Sequence, residues 1–125
     1  MEFFAELKTC PASAGQIQDA LIIERLPELC ASIDSVLSVN SPQSGEIYCV
    51  WGQFQIALQA IRNGVRLALL NCPHALALTV AAHSDRAAVV VHCTIDDRQA
   101  EPEFAESIQQ FVDDMAAGLQ LALAA

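Results

Sequence analysis

One alternating stretch that ends in a turn signal constrains the fold of this chain more than any other feature. Apolar and polar residues alternate from residue 54 to residue 60, and alternation resumes after Asn63–Gly64. A period of two places the apolar side chains on one face of a β-strand. Asn-Gly between two such runs is the strongest short-range signal for a β-hairpin, because a type I′ turn requires positive φ at both central residues. A two-residue loop at 63–64 predicts that Leu58 lies opposite Leu69.

A second hairpin is predicted to follow the first. Two further alternating runs flank a two-residue loop at Ser84–Asp85, which pairs Val80 with Val89 and again keeps the large side chains on one face. Pro73 lies between the two hairpins, in a turn, because proline lacks the N–H group that a central strand needs. The chain is therefore predicted to contain a meander of at least four antiparallel strands.

Three segments around this meander are less sharply patterned. Residues 35–40 suit a strand that pairs with 46–51, which would give the sheet a fifth strand. Gly52 is interpreted as a bulge or bend within one long strand. Residues 1–10 are interpreted as a short helix or an ordered arm.

Helices are predicted on both sides of the sheet region. Ser13 and Gln16 have the spacing of a capping box, which predicts a helix from about Ala14. Pro27 indicates a kink or the start of a second short helix. Pro102 is predicted to open a long last helix, whose apolar residues recur at spacings of three and four and are expected to pack in the core: Phe104, Ile108, Phe111, Val112, Met115, Leu119 and Leu123.

These patterns together predict one α+β domain over residues 1–125. It contains a four- or five-stranded antiparallel meander sheet, an N-terminal helical segment and a long C-terminal helix packed on the sheet. A chain of 125 residues is long enough to bury a sizeable core.

The charge of the chain excludes several classes of partner. Its formal net charge is −9, whereas nucleic-acid binding requires clustered Lys and Arg and anionic membranes attract basic segments. No continuous apolar stretch reaches the roughly 20 residues that a spanning helix needs. We expect no nucleic-acid partner and no membrane association. The N-terminus shows no signal-peptide pattern, and the five cysteines include no CxxC pair, so we expect a cytoplasmic protein with mostly inert thiols.

The face of the sheet opposite the large apolar residues is unusually poor in charge. It carries glutamines and alanines with Arg66 as its one certain charge, although a sheet face in water normally shows several charged residues. A second copy of the chain, the N-terminal helix or a ligand is therefore expected to cover part of it. Our leading hypothesis is a non-catalytic binding or assembly module that acts as a homodimer. A different protein is the other partner that could bind this surface.

The alternative hypothesis is a small-ligand carrier or enzyme with a pocket between the last helix and the sheet. The candidate residues for binding a small apolar ligand are Trp51, Phe54, Arg66 and Met115. An enzyme is the less favoured reading, because the chain has no phosphate-binding glycine loop, no dinucleotide fingerprint and no triad at workable spacing. No cofactor is expected.

A further alternative is a metal or thiol site formed by Cys72, His74 and His92. Cysteine and histidine are the residue types that bind zinc and related ions. However, His92 and Cys93 are adjacent in a predicted strand and point to opposite faces, so they cannot easily share one ion. Buried thiols and hydrogen-bonded histidines without a metal are the favoured interpretation.

Overall fold

Seven strands and a long C-terminal helix account for most of the computed structural model, which describes residues 1–7, 12–83 and 88–124. The strands form one antiparallel sheet in the order β1-β7-β6-β5-β4-β3-β2. The elements in chain order are β1 (Glu2–Leu7), α1 (Ala14–Ala20), a 3-10 turn (Ile23–Arg25), α2 (Leu26–Leu29), β2 (Ile33–Ser41), β3 (Ser44–Cys49), β4 (Gly52–Ile61), β5 (Gly64–Leu69), β6 (Ala77–His83), β7 (Ala88–Thr94) and α3 (Pro102–Ala124).

The predicted α+β class, with an antiparallel sheet and a long C-terminal helix, is confirmed, but the predicted number of four or five strands is wrong. The strand over residues 35–40 is present as part of β2, which pairs with β3. The N-terminal residues form β1, an edge strand paired with β7, rather than a helix or an arm. Phe4 explains why this strand was missed: it is an apolar residue on the outward side and breaks the alternation.

Gly52 ends a turn rather than bending a continuous strand. Cys49 pairs with Gly52, so residues 50 and 51 form the two-residue connection between β3 and β4. Gly52 has φ +113°, a conformation that glycine adopts without a steric penalty. The stretch predicted as one long strand is therefore two strands of a hairpin.

The hairpin registers differ from the predicted ones by two residues. Leu58 lies opposite Leu67 instead of Leu69, and the first turn occupies residues 62 and 63. Val80 lies opposite Val91 instead of Val89, while the loop predicted at 84–85 lies outside the described residues. A shift of two residues leaves every side chain on its predicted face. The large apolar side chains consequently still share one side of the sheet.

The helix starts were predicted correctly. The Ser13 hydroxyl accepts from the Gln16 N–H at 3.1 Å, and the Gln16 side-chain oxygen accepts from the Ser13 N–H at 2.8 Å. Pro27 lies in the first turn of α2 and Pro102 opens α3. The apolar stripe of α3 is confirmed as core, with five fully buried members: Ile108, Phe111, Val112, Met115 and Leu119.

All helices contribute to one core on one side of the sheet. We call this side the inner face, and the opposite side the outer face. Ile17 and Leu21 of the α1 region are buried in the same core as α3. The N-terminal helix, one of the three candidates for covering the outer face, therefore packs on the inner face instead. None of the helices described is both long enough and apolar enough to cross a bilayer.

The core also contains three of the cysteines. Burial raises the pKa of both Cys30 and Cys93 to about 12, and it raises the pKa of Cys49 as well. Because the thiolate is the reactive form, these three residues are poor nucleophiles. Cys30, Cys49, Cys72 and Cys93 are all free thiols in the described residues, and Cys10 lies outside them.

Candidate functional site

A cavity of about 230 Å³ opens at the end of the sheet where α3 begins. Its walls come from three segments that are distant in sequence: the β3–β4 turn with the start of β4, the loop between β5 and β6, and the first turn of α3. The lining residues are Trp51, Phe54, Cys72, Pro73, His74, Leu76 and Phe104. We call this cavity the aromatic pocket.

Trp51 forms the best-fixed wall of the aromatic pocket. Its indole Nε1–H donates to the Ser107 hydroxyl at 2.8 Å, and Ser107 donates in turn to the Phe104 carbonyl oxygen at 2.6 Å. The indole stacks on Phe111 with ring centroids 5.0 Å apart and meets Phe104 edge-on at 6.1 Å. Since Phe111 is buried in the core, these contacts hold the indole plane in one orientation.

A histidine–carboxylate pair supplies the polar group of the pocket. His74 Nδ1 and Asp97 Oδ2 are 2.7 Å apart, and both side chains are about one-third exposed (37% and 36%). The imidazole lies against Phe104 with ring centroids 4.6 Å apart. One edge of the His74 ring is thus bound to Asp97, while its face forms part of the aromatic lining.

The turn that carries His74 has an unusual backbone. Ala75 has φ +51°, a left-handed conformation that costs energy for a residue with a Cβ. Two backbone hydrogen bonds hold the turn: Ala75 N–H donates to the Cys72 carbonyl at 3.1 Å, and Asp96 N–H donates to the His74 carbonyl at 2.9 Å. The position of His74 is therefore set by the backbone on both sides of the residue.

The predicted ligand-binding residues divide between the two faces of the sheet. Trp51 and Phe54 line the aromatic pocket. Met115 lies on α3 and is fully buried in the core, and Arg66 is exposed on the outer face between Gln59 and Thr79. Two of the four candidates are therefore brought together.

The predicted metal or thiol residues divide in the same way. Cys72 and His74 both line the aromatic pocket. His92 lies on the outer face, where it stacks on Phe4 with ring centroids 4.4 Å apart and contacts a Glu2 carboxylate oxygen at 3.0 Å. In the part of the chain that the structure describes, no three His, Cys, Asp or Glu side chains are close enough to hold an ion. The three residues do not form one site.

Three residues of the pocket region were not singled out from the sequence. Phe104 was interpreted as core, and no sequence pattern marked Asp97 or Ser107. The proximity of His74 and Asp97 could have been predicted from the pairing of β6 with β7. Residues just before β6 and just after β7 lie at the same end of an antiparallel pair.

A larger groove of about 530 Å³ lies on the outer face across β1, β7 and β6. Its lining includes the Phe4–His92 stack, and the rest comes from Ala5, Glu6, Thr79, Ala81, His83 and Val90. This groove is a depression on one side of the sheet, whereas the aromatic pocket lies between the sheet and α3.

Comparison with known proteins identifies the fold and no family. No protein-family model matches the chain, and no curated protein matches it. Among solved structures, a START superfamily protein from Mycobacterium smegmatis matches with a TM-score of 0.61 and 12% identity, over 99% of this chain and 96% of that chain. Ara h 8.0201 matches with a TM-score of 0.61 and 14% identity, over 100% and 99%. The protein XoxI from Bacillus cereus matches with a TM-score of 0.62 and 15% identity, over 99% and 94%.

These similarities extend over the whole chain but are low in sequence identity. They show that the chain shares the fold of these three solved structures. Identities of 12–15% do not carry residue roles from those proteins to this one.

Proposed function

We propose that this protein is a non-catalytic carrier that binds a small, mainly apolar ligand in the aromatic pocket. The observation that carries the proposal is the lining itself: three aromatic rings and a proline surround a cavity at the junction of helix and sheet. Pockets for small ligands are concave and mostly apolar, with a few placed polar groups. The aromatic pocket has this composition, with the His74–Asp97 pair as its polar group.

The volume of the pocket limits the size of the ligand. Drug-sized ligands occupy pockets of about 300–1,000 Å³, which is more than the 230 Å³ present. A cavity of about 150 Å³ lined by apolar residues is sufficient to bind benzene. A single substituted aromatic ring is therefore the ligand size that the pocket accommodates.

Intrinsic fluorescence provides a direct test, because Trp51 is the only tryptophan in the chain and forms a wall of the pocket. Titration with toluene is expected to change the emission of Trp51 in a saturable manner. Cys72 is half-buried in the pocket lining, so Cys72→Phe is expected to fill the cavity and abolish the response. Cys72→Ser keeps the cavity open and is the matched control.

Two results would contradict the proposed function. One is the absence of a saturable change in wild-type emission up to the solubility limit of toluene. The other is an unchanged toluene affinity in a folded Cys72→Phe variant, which would locate the binding elsewhere.

The outer face supports a second candidate function, a homodimer or other assembly built on this surface. Phe4, Tyr48 and Leu70 lie on the outer face and are 56%, 50% and 59% exposed. These exposed apolar side chains lie on a sheet face whose central strands are poor in charge, whereas a sheet face in water usually carries polar residues. Sedimentation velocity over a hundredfold concentration range tests this candidate function. Wild type is expected to dimerise, and Leu70→Gln is expected to weaken the dimer. A wild-type protein that stays monomeric over the whole range would contradict the candidate.

We also propose that the protein works in the cytoplasm. Four free cysteines in the described residues support a reducing compartment. Fractionation of cells that express the tagged protein tests this location, and recovery in a secreted fraction would contradict it.

A further inference from the structure

We infer that the His74–Asp97 pair selects ligands that carry a hydroxyl group on the aromatic ring, over unsubstituted rings and over carboxylates. This inference rests on the proposed function, since it concerns the same pocket. Because the Asp97 carboxylate can only accept, the imidazole hydrogen on that side is held at Nδ1.

Nε2 is then the ring nitrogen left for a ligand. Within the described residues, Asp97 is the hydrogen-bond partner of the His74 ring, and no protein group bonds to Nε2. In the neutral ring Nε2 is an acceptor, and in the protonated ring it is a donor. A hydroxyl can donate or accept, so it pairs with Nε2 in either state, whereas a carboxylate pairs only with the protonated ring.

Charge adds to the selection against carboxylates. Asp97 lies 2.7 Å from the imidazole, and the chain carries a formal net charge of −9. A second carboxylate beside His74 would meet both a nearby like charge and an unfavourable overall field. A neutral hydroxyl meets neither.

The pair is not required to join the two loops on which it lies. The backbone hydrogen bond from Asp96 N–H to the His74 carbonyl, at 2.9 Å, already connects them. In addition, the left-handed Ala75 next to His74 is a strained position of the kind that clusters at functional sites. Both observations favour a role for the imidazole beyond loop closure.

The test compares three probes that share one ring: toluene, p-cresol and p-toluate, each titrated against Trp51 emission. One additional hydrogen bond of ordinary net strength predicts that wild type binds p-cresol about 3- to 10-fold more tightly than toluene. p-Toluate is expected to bind more weakly than toluene. His74→Phe keeps a ring against Phe104 but removes Nε2, so it is expected to bind p-cresol about 5-fold more weakly than toluene, because the hydroxyl then lacks a partner.

Toluene serves as the internal control for the pocket, since it makes no use of Nε2. A preference of wild type for p-cresol over toluene that is reversed in His74→Phe supports the inference, whatever the toluene affinity of the variant itself. Equal affinities for toluene and p-cresol in wild type overturn it while leaving the proposed function intact. Absence of binding by every probe overturns both.

A measurement on wild type covers the case in which His74→Phe does not fold. In a nitrogen-detected NMR spectrum of the imidazoles, saturation with p-cresol is expected to shift the Nε2 resonance of His74, and saturation with toluene is expected to leave it in place. An Nε2 resonance that responds identically to both probes would overturn the inference.

Discussion

Replacing Gly118 by alanine is a substitution for which helix propensity and packing predict opposite effects. Gly118 lies within α3, and a Cβ there would collide with the backbone carbonyl of Leu29 at the end of α2. Replacing glycine by alanine inside a helix ordinarily gains about 1 kcal/mol. Overpacking a well-packed core costs about 1–3 kcal/mol. Here the obstacle is backbone rather than the flexible end of a side chain, so the upper part of that range applies.

The net expectation for Gly118→Ala is a loss of about 2 kcal/mol in the free energy of unfolding, the overpacking cost less the gain in propensity. Leu29 and Leu119 are both buried, so moving α2 away from α3 also loosens the core between the helices. Urea unfolding followed by far-UV circular dichroism measures the change.

The neighbouring exposed residue Ala117 offers a matched control. Ala117→Gly changes propensity without a packing contact and is expected to cost about 1 kcal/mol. A higher urea midpoint for Gly118→Ala, with an unchanged denaturant slope, would refute the packing argument and leave propensity as the governing term.

Three further predictions concern the pocket wall and the core. Ser107→Ala removes the acceptor of the Trp51 indole and is expected to cost about 1 kcal/mol in urea unfolding and to weaken toluene binding; unchanged affinity would mean that the hydrogen bond does not orient the indole. Phe111→Ala empties a fully buried site and is expected to cost about 3–5 kcal/mol in the same assay, and a loss below 1 kcal/mol would contradict its place in the core. Stability is expected to fall above pH 9, because the unfolded thiols of Cys30 and Cys93 ionise near pH 9.0 while the native ones keep their protons to about pH 12. The slope attributable to these two protons is about 2.7 kcal/mol per pH unit, and an unchanged slope in a Cys30→Ala/Cys93→Ala double variant would refute this assignment.

The distribution of side chains between the two faces of the sheet was predictable, whereas the register was not. Leu58 and Val80 each pair two residues away from the predicted partner, yet both remain on the inner face. The turn predicted at residues 63–64 lies at residues 62–63 instead, and Gly64 is the first residue of β5. A Cβ at Gly64 would collide with the Val80 carbonyl on β6, so the residue is needed where β5 passes close to its neighbour. Turn propensity cannot distinguish that requirement from a requirement for positive φ.

The edge strand β1 was not predicted from the sequence, for a different reason. A strand is recognised by alternation, and alternation reports only that one face is buried and the other is wet. Phe4 is outward and apolar and interrupts the alternation of β1, although Phe3 and Leu7 are buried on the inner face. The same residue lies on the outer face, in the surface proposed above for assembly.

The aromatic pocket depends on where α3 begins relative to the sheet, and this relation is absent from any local pattern. Trp51 and His74 were singled out from the sequence as candidates for separate sites, one for a ligand and one for a metal. The structure places both against Phe104, the first residue of the stripe on α3. A stripe at helical spacing predicts burial along its length, but its first turn extends past the packed centre, where the lining is partly exposed. The residue type that fills a core in the middle of α3 therefore becomes a wall of the aromatic pocket at its end.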